Sequence, residues 1–152
     1  MERDCLIVGC GYVGRRLARR LRPGRRVIAL VRSGGTATGL AVDGLETIVA
    51  DLDADLAAPA LARAAQGSAV VYLAPPPDAG TTDPRLARFL AALGDSRPAS
   101  FLYMSTTGVY GDTGGSTVDE SSPVAPANDR SRRRVAAETA VREWCDARGV
   151  RW

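Results

Sequence analysis

The sequence contains no lysine and no histidine, and all twenty of its basic residues are arginine. The two side chains that most often exchange a proton near neutral pH are therefore missing, because an arginine with a pKa above ~12 keeps its charge throughout. Aromatic residues are scarce, at 5% of the chain. The longest unbroken apolar run, Ala69 to Ala74, is far short of the ~20 residues a membrane-spanning helix needs. The three cysteines, Cys5, Cys10 and Cys145, are an odd number that makes no disulfide framework, and no secretory leader precedes the first apolar segment. A reducing cytoplasm is the expected compartment, and neither a metal site nor a membrane partner is expected.

What is present is one domain's worth of chain: 152 residues, 45% hydrophobic, with 16 glycines and 9 prolines spread between apolar runs. The net charge of +3 hides two basic ends and an acidic middle. Residues 1–35 carry nine arginines against two acids, residues 36–129 four against twelve, and residues 130–152 seven against three. A cluster such as Arg15, Arg16, Arg19, Arg20, Arg22, Arg25 and Arg26 can attract a nucleic-acid backbone. Its spacing fits better the solvated face of a helix whose apolar face is Val13, Leu17, Ala18 and Leu21. A nucleic-acid partner is not expected.

Strand and helix patterns alternate along the chain. Leu6 to Val8 reads as a short strand, followed by a glycine turn and a helix to about Arg22, closed by Pro23-Gly24. Val27 to Val31 and Thr47 to Ala50 read as the next strands, with a short helical stretch at Thr36 to Val42 between them. Helix at Pro59 to Ala65, strand at Ala69 to Leu73, helix at Pro84 to Leu93 and strand at Phe101 to Met104 follow. A turn-rich loop over 106–129 leads to a helix over Arg130 to Arg148, with Ala137, Val141 and Trp144 on one face. The pattern predicts an α/β fold, a doubly wound parallel sheet covered by helices on both faces, with residues 1–152 as one nucleotide-binding domain. Gly149 closes the last helix where a sixth strand is due, so the sheet is expected to be cut short there and a C-terminal substrate-binding part to be absent.

The segment Gly9-Cys10-Gly11-Tyr12-Val13-Gly14 is a Gly-x-Gly-x-x-Gly pattern, weak alone but set here between a strand and a helix. Gly9 permits the turn, Gly11 lets backbone approach a pyrophosphate, and Gly14 permits close helix packing, while the helix start, with Tyr12 and Val13, offers free N–H groups to phosphate. Cys10 falls at a variable position of the pattern and reads as a small spacer. After the second strand an acid would bind a ribose 2′-hydroxyl, but Arg32 stands there, followed by Ser33. The planar guanidinium fork suits a 2′-phosphate, so NADP is favoured over NAD.

Five segments in order resemble the extended short-chain dehydrogenases/reductases of the NAD-dependent epimerase/dehydratase type. Besides the glycine loop and Arg32, they are Asp51-Leu52, Tyr72-Leu73-Ala74-Pro75 and Met104-Ser105-Thr106-Thr107-Gly108-Val109-Tyr110-Gly111. The resemblance implies that Asp51 and Leu52 face an adenine, and that Leu73, Ala74 and Pro75 lie beside the ribose and nicotinamide. It makes Thr106, with Ser105 beside it, the hydroxyl that bonds the substrate's reacting oxygen. The family's Tyr-x-x-x-Lys pair is missing: aligning Glu138 with the acid that commonly follows the lysine puts Arg130 at the tyrosine position and Arg134 at the lysine position. Neither can carry that proton chemistry, though Arg134 could still hold ribose hydroxyls. In this respect the chain is similar to the atypical members of the superfamily.

Two classes of function stay open. One is an NAD(P)-dependent epimerase, dehydratase or reductase acting on a nucleotide-sugar or similar polar metabolite, with the 152-residue chain inactive by itself. The other is a non-catalytic NAD(P)-binding sensor or scaffold. The expected partners are a dinucleotide and a small-molecule substrate, with a homodimer left open.

Overall fold

A computed structural model of the chain describes residues 3–56 and 58–152. The strands are β1 (Cys5–Val8), β2 (Val27–Val31), β3 (Glu46–Val49), β4 (Ala69–Tyr72) and β5 (Ser100–Tyr103), and the helices α1 (Tyr12–Leu21), α2 (Gly34–Val42), α3 (Ala58–Ala65), α4 (Pro84–Leu93) and α5 (Asp129–Asp146). The strands form one all-parallel sheet in the order β3-β2-β1-β4-β5. This is the doubly wound α/β architecture that alternating apolar strands and helices predict.

Alternation along the central strands separates two cores. Leu6, Val8, Ile28, Leu30, Val70 and Tyr72 face α3, α4 and α5, whereas Cys5, Ile7, Val27, Ala29 and Val31 face α1 and α2. β1 and β2 are buried along their whole length. β3, at the sheet's edge, leaves Glu46 and Val49 exposed. The first core holds an aromatic chain in which Tyr72 meets Phe89 at 5.5 Å and Tyr103 at 5.9 Å between ring centroids. Such pairs add about 0.5–1.5 kcal/mol each beyond burial.

Several local details differ from the sequence pattern. Val13 is 48% exposed and does not belong to the apolar face of α1; Gly14 takes that place, where an added Cβ would crowd the Gly9 carbonyl and Ile7 of β1. α2 begins at Gly34, since the Ser33 hydroxyl accepts from the Thr36 N–H at 3.4 Å and draws both glycines into the first turn. The loop after β5 contains a 3₁₀ turn at Thr107–Tyr110, tied down where the Ala125 N–H donates to the Val109 carbonyl at 2.9 Å. Where a further strand was expected, Arg151 forms a parallel bridge with Ser100, and the Phe101 N–H donates to the Arg151 carbonyl at 2.8 Å.

After β3 the chain returns across the sheet to place β4 beside β1, so the strand order reverses between them. The crevice at the C-terminal strand ends of such a reversal is where this architecture binds ligands.

Candidate functional site: a glycine cradle and a cleft along the last strand

At the reversal the two loops touch. Gly9 has φ +89°, and a Cβ built on it would stand 2.7 Å from the Ala74 nitrogen, so glycine is needed both for the turn and for the approach of the loop after β4. Gly14 is set against the Gly9 carbonyl and Ile7, where an added Cβ would come within 3.0 Å and 3.3 Å. Gly11 differs from both, because a Cβ there meets no described atom within 4 Å. Its missing side chain is not required by the fold and leaves open space above the start of α1. No side chain caps that helix, and the first helical bond is from the Arg15 N–H to the Gly11 carbonyl at 2.9 Å. The N–H groups before it point into the open space, with the positive end of the helix dipole behind them. A helix start of this geometry can hold an anion such as a pyrophosphate.

Tyr12 and Val13 are exposed at 73% and 48% on the rim, and the Arg16 guanidinium covers the Tyr12 ring at 3.6 Å. Cys10 is buried, and burial pushes its thiol above the ordinary range while Arg15 opposes the shift. It is a spacer and not an activated thiolate.

Arg32 is exposed just past β2, while Ser33 beside it is occupied in capping α2. Asp51 accepts from the Asp53 N–H at 2.9 Å, and Leu52 turns into the core, 8% exposed. Arg85, which sequence reasoning did not single out, joins this loop to the next. It donates to Asp53 at 2.8 and 2.6 Å and to the Pro75 carbonyl at 3.1 Å. That fork holds the Asp53 carboxyl below its usual range. Leu73 and Ala74 lie beside the glycine loop, and the Leu73 N–H donates to the Val8 carbonyl at 2.8 Å.

Along the β5 edge of the sheet, β5, the loop after it and the middle of α5 enclose a cleft of about 1020 Å³, lined among others by Tyr103, Ser105, Thr106, Tyr110, Glu138 and Arg142. The Ser105 hydroxyl donates to the Glu138 carboxylate in a short hydrogen bond. Ser105 thus spends its only proton inside the protein. Thr106 accepts from the Gly108 N–H at 3.3 Å and keeps its own O–H proton. Of the two hydroxyls proposed for substrate contact, Thr106 is the free donor.

Asn128 caps α5 by accepting from the Ser131 N–H at 2.9 Å, which fixes the azimuth of four arginines in its opening turns. Arg130 and Arg132 face outward. Arg133 is 6% exposed and donates to the Gly80 carbonyl at 2.5 Å. Arg134 donates to the Tyr103 hydroxyl at 3.0 Å and to the Met104 carbonyl at 2.8 Å. Arg130 and Arg134 therefore part company: only the second reaches the strand ends. Burial raises the Tyr103 phenol, and Arg134 pulls it back. Burial likewise raises Tyr72 and Asp83. The Tyr72 hydroxyl and one Asp83 oxygen have no hydrogen-bond partner among the described residues. Tyr103 and Glu138 gained their places only through the packing of α5 on β5, and Arg133 through the approach of α5 to the loop after β4; a tyrosine ending a strand two residues before the Ser-Thr pair was the one available signal.

Among the described residues, no helix is long and apolar enough to cross a membrane, and no cluster of His, Cys, Asp or Glu is arranged to hold a metal ion.

Residues 5–152 match the NAD dependent epimerase/dehydratase family. No curated protein matches the chain. Among solved structures, a candidate epimerase from Burkholderia cenocepacia is 30% identical with a TM-score of 0.71, over 95% of this chain and 51% of that one. A conserved protein of unknown function from Silicibacter pomeroyi is 29% identical, also with a TM-score of 0.71, over 94% and 50%. The UDP-glucuronic acid 4-epimerase from Bacillus cereus, in complex with UDP-glucuronic acid and NAD, shares the fold with a TM-score of 0.77 at 18% identity, over 97% and 54%. The chain spans about half the length of each.

Proposed function

Because the chain belongs to the NAD-dependent epimerase/dehydratase family, we propose that it is the cofactor-binding part of an NAD(P)-dependent epimerase, dehydratase or reductase that works without a Tyr-x-x-x-Lys pair. The observation that carries this reading is Gly11, whose open Cβ position lies over an uncapped helix start at the sheet's reversal point. The N–H groups of Tyr12, Val13 and Gly14 would hold the pyrophosphate. Arg32 would take a 2′-phosphate, with Ser33 beside it, so NADP is preferred. Asp51 with the backbone of Leu52 would border the adenine, and Leu73, Ala74 and Pro75 the ribose and nicotinamide. Arg134 would face the ribose hydroxyls. When bound, the nicotinamide supplies hydride transfer.

The protein's own contribution to the chemistry lies in the cleft. Thr106 donates a hydrogen bond to the reacting oxygen, and Glu138 holds Ser105 so that the strand end keeps its shape. A nucleotide-sugar or similar metabolite suits a cleft of this size, in which the hydroxyls of Ser105 and Thr106 and the Glu138 carboxylate stand among mostly apolar walls, and the Bacillus cereus structure holds such a compound. Substrate contacts beyond the cleft are assigned to the half of the longer relatives that this chain does not match. The three buried free thiols suit a reducing cytoplasm. Arg130 and Arg134 in place of the Tyr-x-x-x-Lys pair favour the second reading, a non-catalytic NAD(P) sensor or scaffold.

Calorimetric titration with NADP(H) and NAD(H) tests the cofactor assignment, since absence of binding for both removes it. Turnover of a nucleotide-sugar panel, followed by nicotinamide absorbance in this chain and in any longer parent, separates enzyme from sensor.

A further inference from the structure

Tyr103 ends β5 with its ring stacked on Tyr72 and its hydroxyl oxygen accepting from the Arg134 guanidinium at 3.0 Å. Because the guanidinium occupies an oxygen lone pair, the phenolic proton is directed elsewhere. No acceptor for it occurs among the hydrogen bonds of the described residues, although the side chain is partly buried. Arg134 is itself anchored by the Met104 carbonyl at 2.8 Å. Tyr103, though not Arg134, also lines the cleft that holds Ser105, Thr106 and Glu138.

We propose that Tyr103 is the proton-exchanging hydroxyl of this cleft, paired with Arg134 as the fixed cation that holds its anion. The inference rests on the cofactor reading above and adds the residue that performs the proton step. In that step the Tyr103 O–H bond breaks, the proton passes to a substrate oxygen, and the tyrosinate left behind is held by Arg134 until solvent returns a proton. The reverse direction takes a proton from a substrate hydroxyl. A guanidinium suits the role because it stays charged at every working pH and does not compete for the proton.

The groups that act on the phenol come from each neighbouring element: Arg134 and Glu138 from α5, Asp83 at the start of α4, and Tyr72 from β4. Burial is the largest influence and raises the phenol, Arg134 favours the anion, and the two carboxyls oppose it. A second positive charge arriving beside the hydroxyl adds to the effect of Arg134. An opposite charge within ~4–6 Å lowers an acid's pKa by about 1–3 units.

The test uses the whole chain with fluorinated tyrosine at its four tyrosine positions, followed by fluorine NMR, with Tyr103→Phe to assign the resonance. The fluorinated phenol ionises at lower pH than tyrosine, which keeps the titration within the stable range. Saturating NADP+ is expected to lower the Tyr103 midpoint by about 1–3 pH units while NADPH, whose ring is uncharged, leaves it nearly unmoved. Arg134→Gln should raise the midpoint without ligand, and Arg134→Lys should restore part of the difference. Calorimetry on the same samples reports binding independently. If both cofactors bind but the Tyr103 resonance ignores the charge of the ring, the proposal fails and the cofactor reading stands. If neither binds, both fall.

Discussion

Gly9 and Ala74 approach so closely that a Cβ on Gly9 would lie 2.7 Å from the Ala74 nitrogen, whereas two residues on, at Gly11, the same atom would meet nothing within 4 Å. The two glycines of one motif thus serve different ends. Gly9→Ala should destabilise the fold, because it combines backbone overlap with φ +89°, a conformation that costs a side-chain-bearing residue about 1–3 kcal/mol. For a chain of this size that lowers Tm by roughly 2–12 °C. Gly11→Val should leave the melting curve nearly unchanged and abolish cofactor binding. Thermal melts and calorimetry on both variants check the pair, and an inverted result would reassign the cradle.

Arg32→Ala should weaken NADP(H) binding while sparing NAD(H). Losing one charge-assisted partner costs about 1.5–3 kcal/mol, or roughly 10- to 100-fold in affinity. Equal affinities of the wild type for the two cofactors would instead leave Arg32 as a surface residue at a strand end.

Asp83 caps α4 by accepting from the Leu86 N–H at 3.1 Å, yet its other oxygen is buried without a partner. Burial raises its pKa against the opposing pull of the Leu86 and Arg85 N–H groups and of the Arg134 and Arg85 side chains. A raised carboxyl binds its proton more tightly in the folded state, so stability is greatest when it is protonated and falls as pH rises from the ordinary aspartate range through the folded value. Asp83→Asn keeps the cap and lacks the ionisation. Denaturant melts between acid and neutral pH should show a loss in the wild type that the variant does not share.

Thr106→Val should cut turnover by roughly 10²-fold or more, the usual cost of one hydrogen-bond donor aimed at a reacting oxygen. Ser105→Ala should cost less, because its proton already goes to Glu138. Arg130→Ala, on the outer face of α5, should cost nothing measurable. Steady-state rates for the three variants, in whichever length of the protein turns over, decide the ranking. A large loss in Arg130→Ala would restore that position to the site.

The cradle was more legible in the sequence than the cleft. Gly9, Gly11 and Gly14 sit within six consecutive residues, so strand, turn and helix are set by local backbone geometry, and the spacing of the motif predicts the shape directly. Ser105 and Glu138 are 33 positions apart, and Tyr103 and Arg134 are 31. No periodicity within β5 or α5 says which turn of the helix will stand over the strand end. Sequence reading put Thr106 first and Ser105 beside it by resemblance alone, because the acceptor that occupies Ser105 lies on another element.

Alternating apolar strands and amphipathic helices and the glycine loop determined the layered α/β sheet and the tight turn at its strand reversal, and the side-chain inventory left arginine as the basic residue of these 152 positions. These follow from burial periods and side-chain inventory, which are properties of the chain alone. Tertiary packing decided which arginine of the run Arg130 to Arg134 turns inward, that Arg85 bridges the loops after β3 and β4, and that Tyr103 receives a guanidinium on its hydroxyl. The physical reason is that a charged side chain's partner is set by the azimuth and axial position of its helix on the sheet. Those are chosen by the apolar contacts of residues such as Ala137, Val141 and Cys145 in the core.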